Sequence, residues 1–157
     1  MQLDRDQVFA ALREGVHQEL VAVERVAAMA RDEVASDETR SEGKYDTRAT
    51  EASYLARGQA WRVAELRRLV AWFDTFSPRP LGGAVQVGSL VLLDGPRQDW
   101  VFVAPTGGAS ARVDGQPVHA ISPSSPLGQA LCGLEAGDAF EVDSPKGLVT
   151  WEILQVL

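Results

Sequence analysis

Carboxylates are the side chains whose spacing first suggests chemistry. Asp32, Glu33, Asp37, Glu38, Glu42 and Asp46 fall in one short span in which Arg40 and Lys44 are the cations. Glu38 and Glu42 are four apart and would share a face if the span were helical. Taken alone, such a cluster reads as a solvated surface. A second group is Ser122-Pro123-Ser124-Ser125-Pro126-Leu127, where hydroxyls and prolines suit the start of a helix. A third is the basic run Arg48, Arg57, Arg62, Arg67 and Arg68, with Glu51 and Glu65 as available partners. His17 and His119 have no Cys or His at metal-ligand spacing. Cys132 lies in the apolar stretch Ala130-Leu131-Cys132 and is expected to be buried and inert. There is no phosphate-cradling Gly-x-x-x-x-Gly-Lys-Ser/Thr, no Gly-x-Ser-x-Gly elbow and no zinc cluster. An enzyme acting unassisted is hard to build from these groups.

The acidic span sits between two helical patterns. From Asp4 to about Val34, apolar residues recur in steps of three and four: Val8, Leu12, Val16, Leu20, Val23, Ala27, Ala30 and Val34. A helix of about 30 residues is roughly 45 Å long. A second stripe, from about Thr47 to Phe73, uses Ala52, Leu55, Gln59, Val63, Leu66, Val70 and Phe73. Ser77-Pro78-Arg79-Pro80 stops it, because proline lacks the backbone donor and restrains its predecessor. Two stripes joined by a polar turn predict an antiparallel coiled-coil hairpin over residues 1–76, its tip at about 35–46. Trp61 and Trp72 are expected to pack within the hairpin or against the second domain.

After a Pro/Gly linker at 77–83, the period changes to two over 84–157. Val87 to Leu93 and Trp100 to Ala104 read as strands joined by Asp94-Gly95-Pro96-Arg97. Shorter extended pieces flank Asp114-Gly115, and a short helix is expected from Ser125 to Leu134. Ala139 to Asp143 and Leu148 to Val156 read as strands joined by Ser144-Pro145-Lys146-Gly147. The expectation is a small antiparallel sheet with one covering helix, Trp100 and Trp151 in its core, and an α+β class overall.

Bulk properties narrow the function classes. Of 157 residues, 45% are hydrophobic and 24% charged, an ordinary globular composition. No apolar run reaches a membrane span. The charged N-terminus lacks the pattern of a signal peptide. One cysteine allows no internal disulfide, so a cytoplasmic location is expected. The net charge of −7 argues against wrapping duplex DNA, which requires many Lys and Arg. The charge is uneven: residues 1–76 carry 11 basic and 14 acidic side chains, and residues 77–157 carry 4 and 8.

The C-terminal third resembles the bacterial Gre transcript-cleavage factors. Their pattern is Ile-Ser-x-x-Ser-Pro, a small helix, Gly-x-x-x-Gly-Asp, a strand, a Pro-Gly-type turn and a last strand. Here it reads Ile121-Ser122-Pro123-Ser124-Ser125-Pro126-Leu127-Gly128, Gly133, Gly137-Asp138, Glu141-Val142, Ser144-Pro145-Lys146-Gly147 and Trp151-Glu152-Ile153. Val87 to Val91 is similar to the family's first C-terminal strand, and Ser41-Glu42-Gly43-Lys44-Tyr45 to the region past its hairpin tip. The resemblance implies an FKBP-like C-terminal domain that docks on bacterial RNA polymerase at its secondary channel. It implies contact through Ser122, Ser124, Ser125, Pro126 and Leu127, and a coiled coil that enters the channel. It implies tip carboxylates (Asp37, Glu38, Glu42 and Asp46 are the candidates) that help hold a magnesium ion shared with the polymerase. Glu38 and Glu42 would be the metal ligands, and Arg48 and Arg57 would lie near nascent RNA. Such a protein has no active site or cofactor of its own, uses no membrane, and is expected to be a monomer.

The tip departs from the family pattern, which is Asp-x-x-Glu with Ser before the Glu and Tyr four residues after it. Aligning on Ser41-Glu42 puts Thr39 at the Asp position and brings Tyr45 one residue early. Aligning on Tyr45 puts Glu38 at the Asp position and Ser41 at the Glu position. Either register keeps one carboxylate of two, so stimulation of cleavage and non-catalytic occupancy of the channel both stay open. An FKBP-like prolyl isomerase and a coiled-coil adaptor unrelated to polymerase are the alternatives from other classes.

Overall fold

A computed structural model describes residues 2–40, 47–77 and 83–157; the side chains of Val34, Ala52, 36–40 and 47–49 lie outside the description. Helix α1 is Arg5–Arg40 and helix α2 is Thr47–Thr75. Asp4 starts α1, its carboxylate accepting from the Gln7 N–H at 3.0 Å. α1 runs past the expected end at Val34. Residues 35–40 contain neither Gly nor Pro, so nothing in them halts a helix already propagating. The chain divides into two compact units: Val16–Ala71, and Met1–Gly15 together with Trp72–Leu157.

In the first unit, Val16, Ala27 and Ala30 of α1 and Val63, Leu66 and Leu69 of α2 are buried. All but Leu69 belong to the stripes read from the sequence. Ion pairs flank the stripe. Arg62 of α2 bonds Glu19 of α1 and also Glu65 at 3.0 Å, and Arg67 reaches Glu24 at 2.9 Å. The Glu19 carboxylate raises the Arg62 pKa, and Glu65 adds to that while burial opposes it, so the guanidinium stays charged. Two apolar positions depart from expectation. Trp61 is 64% exposed and Leu55 is 50% exposed. Trp61 lies two residues before buried Val63, about 200° around the helix from it, so α2 turns the indole outward.

In the second unit, six strands form one sheet: β1 Leu90–Asp94, β2 Gln98–Val103, β3 Ser110–Val113, β4 Gln116–Ile121, β5 Ala139–Ser144 and β6 Gly147–Val156. The order is β3-β4-β2-β1-β6-β5. The class is α+β as expected. One ladder differs from the expected antiparallel sheet, because β2 and β4 pair in parallel, with Trp100 opposite Val118 and Phe102 opposite Ala120. The β3–β4 hairpin carries the chain out to the edge and back, so β4 enters beside β2 in the same direction. Its turn holds Asp114 at φ 49° and Gly115 at φ 77°, the two left-handed residues of a tight hairpin. The first strand begins three residues later than expected. Gly88 has φ 97°, and its N–H reaches the Val103 carbonyl at 2.7 Å. The Ser89 carbonyl accepts from the Val103 N–H in return at 2.9 Å, and a Cβ on Gly88 would lie 2.5 Å from the Phe76 ring, so the chain turns at this glycine before the regular strand starts.

Each face of the sheet has its own cover. Leu90, Trp100, Phe102, Val118 and Ala120 share one face by register and are all buried. Against it sit rings from the ends of α1 and α2: Phe9 is 6.1 Å and Phe73 is 6.3 Å from Phe102 between ring centroids. Phe9, Trp72, Phe73 and Phe76 also touch one another, so Trp72 packs as expected. On the other face, Val91, Leu93, Val101, Val103 and Ile153 form a core with Val85 and with Leu131 of helix α3, Pro126–Leu131. Trp151 packs half-buried at the margin of this core. α3 ends three residues before the expected Leu134. Gly133 is left-handed at φ 91°, and Gly133 and Leu134 exchange backbone hydrogen bonds with Val85.

Candidate functional site

The segment from Ser122 to Leu127 links β4 to α3, and nearly every polar group in it has a local partner. Ser125 is the N-cap of α3: its Oγ accepts from the Gly128 N–H at 3.0 Å and donates to the Ser122 carbonyl at 2.7 Å. Pro126 follows at the first helical position, where its missing N–H costs nothing. The Ser122 and Ser124 hydroxyls lie 3.0 Å apart, and the Ser125 N–H donates to the Ser122 Oγ at 3.2 Å. Gln129 closes the loop, its side-chain amide donating to the Ser124 carbonyl at 3.1 Å.

Gly128 makes this compactness possible. A Cβ on it would lie 1.9 Å from the Ser122 carbonyl oxygen, so only glycine lets the helix start against the loop. Neither Gly128 nor Gln129 stands out as a site residue from the sequence. The family-like Ser-Pro-Leu-Gly string is the available signal, and the close approach it serves appears only in three dimensions.

The geometry sets what this segment can do. Among the described residues no base touches the serine hydroxyls, which are engaged with one another and with the backbone, so they are not poised as nucleophiles. Ser124 and Pro126 are exposed, while Leu127 is half-buried and packs on the core beneath α3. The result is a rigid surface knuckle anchored from below, suited to contact rather than to bond making.

The sequence-derived tip residues are brought only partly into view. Asp37 and Glu38 fall in the last turns of α1, with side chains outside the description; Glu42 and Asp46 lie outside the described residues altogether. Arg48 is in the first turn of α2, its side chain likewise outside the description. Arg57 is exposed on α2, its guanidinium carbon 5.1 Å from the centre of the Tyr54 ring. Among the described residues no group of His, Cys, Asp or Glu side chains is gathered as a metal site. Cys132 is half-buried, and burial pushes its thiol up.

Comparison with known proteins places this segment in a family context. Residues 106–157 match the family described as transcription elongation factor, GreA/GreB, C-term, a stretch that contains the whole Ser122–Leu127 knuckle. The transcription elongation factor GreA of Mesorhizobium japonicum is 37% identical over 110 residues, covering 69% of this chain and 66% of that protein. GreA of Ruegeria pomeroyi is 31% identical over 99 residues, covering 60% of each. The chain thus spans 60 to 66% of the length of these relatives. Among solved structures, it is similar to GreA factor homolog 1 of Thermus thermophilus at 22% identity and a TM-score of 0.41, over 94% of this chain and 95% of that one. Residues 106–157 thus form a C-terminal domain of the GreA/GreB family, and the curated relatives that the chain matches are GreA proteins.

Proposed function

We propose that this protein is a transcription elongation factor that binds bacterial RNA polymerase at its secondary channel and modulates elongation. The observation that carries the reading is the GreA/GreB C-terminal match over residues 106–157. The knuckle within it supplies a contact surface: Ser124 and Pro126 project from a loop whose own hydrogen bonds hold it in shape, so little ordering remains to be done on binding. In this reading the protein is a cytoplasmic monomer with no active site of its own. Its helical unit reaches toward the polymerase centre, Asp37, Glu38, Glu42 and Asp46 approach the catalytic magnesium, and Arg48 and Arg57 lie near the nascent RNA.

A second reading of the outcome is favoured by one observation. Either alignment of the tip keeps one of the family's two carboxylates, which supports channel occupancy without cleavage. A prolyl isomerase is disfavoured by packing. Such an enzyme needs a broad pocket lined with aromatics, whereas Trp100 and Phe102 are buried in the sheet core.

Two measurements test the proposal. Purified protein is expected to bind purified bacterial RNA polymerase, and Ser124→Arg with Pro126→Asp to weaken binding at least tenfold without changing the melting temperature; no binding by the wild type at micromolar concentration sinks the reading. Added to backtracked complexes, a cleavage stimulator shortens the RNA 3′ end and loses this with Glu38→Ala plus Glu42→Ala. A non-catalytic occupant alters pausing or initiation and leaves the RNA uncut.

A further inference from the structure

The face of the sheet that α3 covers continues past the helix into an open, mostly apolar cavity of about 320 Å³. Val142 and Val149, opposite one another in the β5–β6 ladder, and the Trp151 ring form its floor, and Pro96, Arg97 and Asp99 form one wall. The floor is held in place. A Cβ on Gly95 would lie 2.6 Å from the Trp151 ring, so the β1–β2 turn rests its bare backbone on the indole. At the mouth, Asp99 engages only the Nε of Arg97, with both carboxylate oxygens at 2.9 Å. The two terminal guanidinium nitrogens have no hydrogen-bond partner among the described residues, and the side chain is 75% exposed. Arg97 is one of only 4 cations among residues 77–157, against 8 acids, yet it stands at this apolar opening.

We propose that this cavity is a docking site for a segment of a partner protein that presents an apolar side chain beside a carboxylate. The volume suits one or two side chains and is at the small end for a cofactor. The apolar side chain would cover Trp151 and the two valines, removing them from water. The neighbouring carboxylate would accept the two free Arg97 N–H groups in the parallel geometry that guanidinium favours. With a neutral apolar segment those exposed donors stay with water, so an acidic segment gains a charge-assisted contact that a neutral one lacks. None of Ser122 to Leu127 lines this cavity, so the inference stands apart from the proposed polymerase contact.

The test is a titration of the full-length, isotope-labelled protein, followed by NMR, with the capped peptide acetyl-Glu-Leu-Glu-amide. Saturable shifts are expected at the Trp151 indole N–H and at the amides of Arg97, Val142 and Val149. The control acetyl-Gln-Leu-Gln-amide should bind at least fivefold more weakly, and acetyl-Glu-Ala-Glu-amide should lose most of the indole shift. In Arg97→Gln the acidic and neutral peptides should bind alike, and Val149→Arg should abolish both. If Val149→Arg does not fold, Arg97→Gln, at an exposed position, still decides the matter. No saturable shift at Trp151, equal binding of acidic and neutral peptides to the wild type, or an Arg97→Gln variant that keeps the acidic preference would overturn the proposal.

Discussion

The two compact units solve the problem of burial in opposite ways. Val16–Ala71 has a lean interior: alanines at 27 and 30, a few aliphatics on α2, and ion pairs along the seam. Its small side chains leave an open groove of about 320 Å³ beside Ala27, Ala56, Ala60 and Val63. It also leaves Val21, Val26, Met29, Tyr54, Leu55 and Trp61 exposed. The sheet unit places aromatic rings on one face and branched aliphatics on the other, with residues such as Phe102, Leu93 and Ile153 wholly buried. Since burial of apolar area dominates folding free energy, the sheet unit carries most of the stability. The helical unit keeps a surface that substitution can change cheaply. For a protein proposed to reach into its partner with the helical unit and to dock through the knuckle of the sheet unit, a stable base and a changeable arm are a useful division.

The comparison can be broken most sharply in the aromatic layer. Phe102→Ala removes a ring that contacts Phe9, Trp72 and Phe73 and is wholly buried, so a loss of about 3–5 kcal/mol is expected in denaturant unfolding. A loss below about 1 kcal/mol would show that the sheet unit does not carry the stability assigned to it.

Next in size is Gly128→Ala. Its Cβ cannot coexist with the Ser122 carbonyl 1.9 Å away, so the knuckle must shift, at a cost of about 1–3 kcal/mol. Ser125→Ala, which removes only the cap, should cost about 1 kcal/mol. Equal melting temperatures for Gly128→Ala and wild type would show that the close approach does not constrain the loop.

The helical unit should respond less. Arg62→Ala removes pairs to Glu19 and Glu65, but all three side chains are partly exposed and screened, so no more than about 1 kcal/mol is expected, shrinking as salt rises. Trp61→Ala should change stability by no more than about 0.5 kcal/mol, because its ring is mostly in water already. A loss of several kcal/mol from Trp61→Ala would show that the ring is buried in solution and remove the contrast between the units.

Particular residues show how far the sequence could be read. The buried positions Val8, Leu12, Val16, Ala27 and Ala30 were legible because a helix repeats every 3.6 residues and the stripe needs no distant partner to be recognised. Leu55 belonged to its stripe by period and is nonetheless half exposed, because period gives a direction around the helix and says nothing of what lies there. The Ser125 cap was legible for the same local reason as the helices. The partner of Gly128 was not, because it depends on how closely the loop folds back on the helix start.

The sequence by itself determined the order of elements, the change from period 3.6 to period 2 near residues 77–83, and the Ser-Pro cap that begins α3, all interactions between near neighbours in the chain. The tertiary structure alone decided that β4 runs parallel to β2, that the ends of α1 and α2 join the sheet unit through Phe9, Trp72 and Phe73, and that Trp151 floors an open cavity beside Arg97. These depend on contacts between residues far apart in the chain, where many pairings satisfy the same local pattern and only packing of the whole selects one.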